Sequence, residues 1–246
     1  MGCPIYIGTS GWHYPHWRGA FYPDKLPMRE WLSYYAQRFE TVEINNSFYH
    51  LPTAETLHLW ADDVPTGFRF AAKASRYLTH MKKLKDPQPA LDTFLSRMEA
   101  LGGKLGPILL QLPPHWRCDL QRLESFLAIL PGRSGAHRFA FELRDPSWQT
   151  PPVLELLTRY RAANCIFDLA GVPSVAALTT DFAYVRLHGP TGPYRGSYTH
   201  QALASWAERL RAWRAQLTAG IYVYFDNDEA GYAARNALEL RALVES

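Results

Sequence analysis

Eight short apolar runs, each rich in β-branched or aromatic residues, recur from one end of this chain to the other: PIYIG, TVEIN, FRFAAK, PILLQL, FAFELR, CIFDL, AYVRLHG and IYVYFDN. Runs of this length read as β-strands, and the helical periodicity of the segments between them reads as repeated βα units. Parallel strands need a crossover of a dozen or so residues, which those segments supply. Eight such units close on themselves as a TIM-type β/α barrel, whose usual size of roughly 250 residues suits this chain of 246. The predicted fold class is therefore α/β, a (β/α)8 barrel. No low-complexity linker divides it, so residues 1–246 are expected to form a single domain.

Apolar residues at i, i+3, i+4 spacing mark the core-facing helices. Trp31, Leu32, Tyr35, Ala36 and Phe39 form one stripe, and Leu91, Phe94, Leu95, Met98 and Leu101 another. Asp119 is placed to cap a helix carrying Leu120, Leu123, Leu127 and Leu130 that ends before Pro131 and Gly132, and Pro152 suits the first turn of the next. Leu203, Trp206, Ala207 and Leu210, then Ala233, Ala237, Leu240 and Val244, complete the set, with Asp228 favoured as cap of the closing helix. One unit is defective. Between Asp168 and Phe182 the segment LAGVPSVAALTTD, interrupted by Gly171 and Pro173, is too short for a full crossover helix, so the sixth helix is expected to be degenerate.

A buried parallel strand should be apolar on both faces, yet most of these strands are polar on one. Side chains of alternate parity point to opposite faces. In TVEIN, Val42 and Ile44 share one face, so Glu43 and Asn45 share the other and point inward. The same reading turns inward Lys73, Gln111, Glu142, Arg144, Asp168, Arg186, His188, Tyr222, Tyr224 and Asp226. Nearly all lie in the last third of their strands, the end at which barrel enzymes build their sites. Glu43, Glu142, Asp168 and Asp226 against Lys73, Arg144 and Arg186 leave about one net negative charge. A site for several metal ions would carry an excess of carboxylates and histidines without cations competing for them, so no metal or other cofactor is predicted.

Composition narrows the setting. No run approaches the ~18 apolar residues of a membrane span, and no membrane partner is expected. Cys3, Cys118 and Cys165 form an odd set without a CxxC pair, which predicts a reducing, cytoplasmic compartment. The opening MGCPIYIG lacks the pattern of a signal peptide, so export is not expected. The net charge of +3 is scattered, giving weak support to a nucleic-acid partner.

Several motifs then stand together: GTSGWHYPHWRGAFYP, TVEINNSFY, FRFAAKASRYLTH, PILLQLPP, FELRDPSW, YVRLHG, Tyr194-Arg195-Gly196-Ser197-Tyr198 and YVYFDND. In this order they resemble the YecE-like family, also called domain of unknown function 72, over essentially the whole chain. The resemblance implies a TIM-type barrel and assigns no reaction. Two positions depart from the family pattern: Asp145, where His is more usual, and Asp226, where Asn is.

The loops add candidates. Gly8 and Gly11 end the first strand in a turn whose backbone can approach an anion. The following loop holds Trp12, His13, Tyr14, His16, Trp17, Phe21 and Tyr22, rings able either to stack on a sugar or base or to plug the barrel mouth, with Trp12 favoured for ligand contact. His80 follows the Lys73 strand closely enough to reach the mouth. Tyr194 and Tyr198 flank a loop where barrels often bind phosphate, and Asn227 ends the last strand.

The leading expectation is general acid-base catalysis on an anionic small molecule, a sugar phosphate or phosphodiester. Arg144, Arg186 and Lys73 would hold the anion while Glu43, Glu142 and His188 move protons. Asn45 and Gln111 would orient substrate or water. Two alternatives remain open: a divalent-metal hydrolase or isomerase with Glu43, Glu142, Asp168 and His188 as ligands, and a nucleic-acid-binding protein without catalysis.

Overall fold

A computed structural model describes residues 2–130 and 137–246; Pro131 and Gly132, the expected end of the fourth helix, lie outside the described residues. Eight parallel strands form a nearly closed barrel: β1 (Ile5–Thr9), β2 (Thr41–Ile44), β3 (Arg69–Lys73), β4 (Leu105–Leu112), β5 (Phe139–Leu143), β6 (Ala163–Leu169), β7 (Phe182–Leu187) and β8 (Gly220–Phe225). Their order around the sheet is β1-β8-β7-β6-β5-β4-β3-β2. Around them run α1 (Trp31–Ala36), α2 (Ala54–Asp62), α3 (Gln88–Met98), α4 (Leu120–Leu127), α5 (Pro151–Arg159), α6 (His200–Arg214) and α7 (Tyr232–Glu245).

The seam between β1 and β2 carries one bridge, Ser10 to Glu43, where the Gly11 N-H donates to the Glu43 carbonyl at 2.9 Å. Below it the buried Tyr35 hydroxyl substitutes for ladder bonds. It accepts from the Thr9 N-H at 3.0 Å and donates to the Thr41 carbonyl at 3.1 Å. Gly8 makes this approach possible, since a Cβ there would stand 2.2 Å from the Thr41 oxygen.

Strand parity sorts two cores. Val42, Phe70, Ile108, Phe141, Ile166, Val185 and Val223 face the helices. Inside the barrel, Ala71, Ala140 and Ala163 leave room for Phe182, Tyr184, Tyr222 and Tyr224. Small side chains on β3, β5 and β6 thus complement large rings on β7 and β8, which fills the interior without a pore.

Helix signals act mostly as expected. Asp119 accepts from the Arg122 N-H at 3.0 Å, and two prolines open α5. The unit after β6 has no helix among the described residues: Val172–Pro173 folds back antiparallel on β6, and Asn164 holds the returning segment through the Val175 carbonyl at 3.0 Å. Asp228 does not cap α7. That helix begins four residues later, behind Gly231 in a left-handed conformation, and Asp228 instead accepts from the Trp17 indole.

Candidate active site at the barrel mouth

Alternation on β5 and β7 carries Glu142 and Arg144, then Arg186 and His188, to the C-terminal end of the barrel. Arg186 is fully buried, and its guanidinium reaches Glu43 at 2.8 Å, Glu142 at 2.8 Å and Asp226 at 3.0 Å. His188, also buried, places Nε2 3.1 Å from Glu142 Oε1 and Nδ1 3.0 Å from Asp226 Oδ2. Glu43 accepts further bonds from the Ser10 hydroxyl and from the Tyr184 hydroxyl at 2.6 Å. Arg144 pairs through Nε with Glu142, and its Nη2 lies 3.1 Å from His188 Nε2.

Three carboxylates therefore meet three cations, Lys73 included. Burial alone would push the Glu142 carboxyl up, but Arg144, Arg186 and His188 outweigh it and hold it well below the usual range. Asp226 is likewise opposed by burial and held low by Arg186 and His188. Burial, reinforced by Arg186, brings Lys73 down to about 8. His80 falls to about 4 through burial and the nearby Lys73.

Access divides the cluster. Glu43, Glu142, Arg186 and His188 are 0% exposed, whereas Lys73, Gln111 and Asp226 keep 7%, 6% and 8% of their surface in contact with solvent. A molecule entering the mouth meets the second group first. Lys73 Nζ lies 4.4 Å from the centre of the Phe48 ring, and the His80 ring sits edge-on to that same ring with its centre 5.0 Å away. A π-helical turn, Tyr77–Met81, carries His80 there. Gln111 stands in register beside Glu142. Tyr194, left-handed with φ 65°, places its exposed ring edge-on to His188 at 5.6 Å.

A family model described as "Protein of unknown function DUF72" matches residues 6–246. The chain belongs to this family. It is 26% identical to UPF0759 protein YunF of Bacillus subtilis (strain 168) over 98% of this chain and 95% of that protein. It is 32% identical to UPF0759 protein YecE of Escherichia coli (strain K12) over 58% of this chain and 50% of that protein. The crystal structure of a DUF72 family protein from Thermotoga maritima MSB8 superimposes with a TM-score of 0.89 at 27% identity, covering 99% of this chain and 100% of that one. A DUF72 family protein from Enterococcus faecalis V583 shares the fold, with a TM-score of 0.83 at 21% identity over 98% and 96% of the two chains.

Not every residue expected inside this DUF72 barrel is there. Asp168 points the other way, because Ala163 and Cys165 occupy the inward positions of β6. Burial pushes its carboxyl up, the nearby Gly171 N-H and Tyr198 hydroxyl opposing this only in part, and its Oδ1 is buried without a hydrogen-bond partner among the described residues. Tyr198 is buried, its hydroxyl accepting from the Gly189 N-H at 3.0 Å, so it braces the loop instead of facing a ligand. Asn227, also buried, donates to the Gly196 carbonyl at 2.8 Å and to Asn236 at 2.9 Å and ties the same loop down. Trp12 packs edge-on against Trp60 at 4.9 Å and is 2% exposed, so it offers no open stacking face. With the buried Trp17 and Tyr22 it makes the loop a plug. Arg186 is enclosed by carboxylates and is not presented to an incoming anion.

Asn45 reaches a cleft of about 210 Å³ shared with Gly11, His13, Tyr14 and Tyr49, where its Oδ1 is buried without a partner. Asp145 turns away from the cluster and caps the short turn at Pro146–Trp148 through Ser147. Sequence reasoning missed Ser10, Tyr184 and Phe48. The first two share inward parity with Gly8 and Arg186, so the rule that found Arg186 also reaches them. Phe48 lies in a short helical turn, where strand parity says nothing. The four residues of the metal alternative do not converge, since Asp168 faces away. Among the described residues no group of three or more His, Cys, Asp or Glu forms a metal-binding set, and no helix is long and apolar enough to cross a membrane.

Proposed function

We propose that this mouth carries general acid-base chemistry on a small anionic substrate, a sugar phosphate or a phosphodiester. The observation that supports it most is His188 held between Glu142 and Asp226, with a carboxylate oxygen about 3 Å from each ring nitrogen. That placement lets the ring pass a proton between a fully buried carboxylate and one that touches solvent. Arg144 would hold the anion, because guanidinium forks match phosphate and this one covers Glu142 and His188. Exchanging Glu142 for the anion would remove one of the cations that hold Glu142 low, so ligand binding would strengthen the base it needs. Gln111 and Asn45 would orient the substrate or a water. Three free cysteines support a reducing, cytoplasmic setting.

Inorganic phosphate and pyrophosphate should raise the thermal unfolding midpoint saturably at constant ionic strength, and Arg144→Ala should abolish the effect. In a panel of sugar phosphates and phosphodiesters, Glu142→Gln should remove any turnover by at least about 100-fold while leaving the circular dichroism spectrum unchanged. Absence of anion-specific stabilisation, or a Glu142→Gln protein that unfolds with no activity to lose, would reject the reading.

A further inference from the structure

The least ordinary group on the floor of the mouth is Lys73. A lysine that serves only as a point charge is expected to pair with a carboxylate, and three carboxylates stand in this cluster. Yet Lys73 makes no ion pair within 4 Å among the described residues, where Arg186, Arg144, His188, Ser10 and Tyr184 take both oxygens of Glu43 and of Glu142 and Oδ2 of Asp226. Its amine rests against the Phe48 ring, a surface that cannot hydrate it, while remaining reachable from the mouth. Glu43, Glu142, Asp226, Arg186 and His80 surround it electrostatically, and Arg144 lies on the same mouth.

We propose that Lys73 is a carbonyl-condensing nucleophile that forms a transient imine with an anionic aldehyde or ketone; this rests on the reading of Arg144 as anion holder. The neutral amine adds to the carbonyl carbon, forming a C-N bond as the C=O π pair moves to oxygen and takes a proton. The carbinolamine then expels that oxygen as water while the nitrogen lone pair forms the C=N bond. Overall, lysine ammonium and carbonyl give iminium and water, with no change in charge. The condensation itself therefore leaves the net charge of the site unchanged, and the only charge brought in is that of the substrate's anionic group, which Arg144 would hold. Asp226, which touches both solvent and His188, is placed to move the protons. With Lys73 brought to about 8, about a tenth of it is neutral at pH 7, against roughly one part in 3,000 for an ordinary lysine.

The test uses glyceraldehyde 3-phosphate and, in parallel, glyceraldehyde, each with sodium cyanoborohydride, followed by peptide mass mapping. The expected result is one dominant reduced adduct on Lys73, with half-maximal labelling near pH 8 and at least tenfold faster labelling by the phosphorylated probe. Lys73→Arg and Lys73→Gln should lose that adduct while melting normally. Labelling of the exposed Lys25, Lys83 or Lys85 ahead of Lys73, or a Lys73 profile centred near pH 10, overturns the proposal. Lys73 labelled equally by both probes keeps the imine and rejects the anion holder. Phosphate-dependent stabilisation without a Lys73 adduct does the reverse, and absence of both rejects both.

Discussion

Arg186→Met tests whether the cluster is held by charge. The guanidinium makes three charge-assisted contacts, at 2.8, 2.8 and 3.0 Å, to side chains that are 10% exposed or less. Removing one partner of a buried pair costs about 3–5 kcal/mol, because the other charge is left without compensation. Since folded domains are stable by about 5–15 kcal/mol in total, the variant should lose about a third or more of its stability at pH 7.5 and still fold. The pH dependence is more diagnostic than the size. In the native protein Glu142 and Asp226 are held low, so their contribution is fully present above the ordinary carboxylate range and lost as pH falls through their folded values. Without Arg186 burial is opposed less, and proton uptake by the folded state moves to higher pH. Stability of the variant should then fall as pH rises from 5 to 7.5, by about 1.4 kcal/mol per pH unit for each excess proton bound. Urea midpoints at pH 5, 6 and 7.5 read this directly. Arg186→Lys, which retains the charge but not the fork, should lose less and keep the native slope. Parallel pH profiles for Arg186→Met and the native protein would refute the charge argument.

Tyr35→Phe should cost about 1–3 kcal/mol and accelerate amide exchange at Thr9, because it strands the Thr9 N-H and the Thr41 carbonyl in the barrel seam; unchanged exchange at Thr9 would count against the hydroxyl as the closing link. Asp228 is pushed up to about 6, chiefly by burial, so the folded state binds the extra proton and its stabilising effect, present at low pH, is lost as pH rises through 6. Asp228→Asn should therefore gain on the native protein between pH 4 and pH 7 by at most about 3 kcal/mol, measured as the difference in urea unfolding free energy; a constant difference would contradict it.

How far the sequence could be read follows from where polarity contrasts with its surroundings. On β2, β5 and β7 a charged side chain alternates with Val, Ile, Phe or Leu, so phase is visible and Glu43, Glu142, Arg186 and His188 could be assigned to the interior. On β6 the inward positions are Ala163, Cys165 and Phe167, themselves apolar, and nothing in CIFDL distinguishes the two faces. A one-residue slip then sends Asp168 to the wrong side. Loop residues fail for another reason: Trp12, Tyr198 and Asn227 have the chemistry of ligand contacts, and only their tertiary neighbours reveal that Trp60, Gly189 and Gly196 occupy them. The displacement of Asp168 also changes the electrostatics. With four carboxylates the mouth would retain a negative charge open to another cation. With three it is balanced, and Arg186 already stands at the point where Glu43, Glu142 and Asp226 converge. A ligand entering the mouth therefore meets Lys73, Gln111 and Asp226 first, and of the two charged groups among them Asp226 is already paired with Arg186 and His188 whereas Lys73 has no ion-pair partner within 4 Å among the described residues.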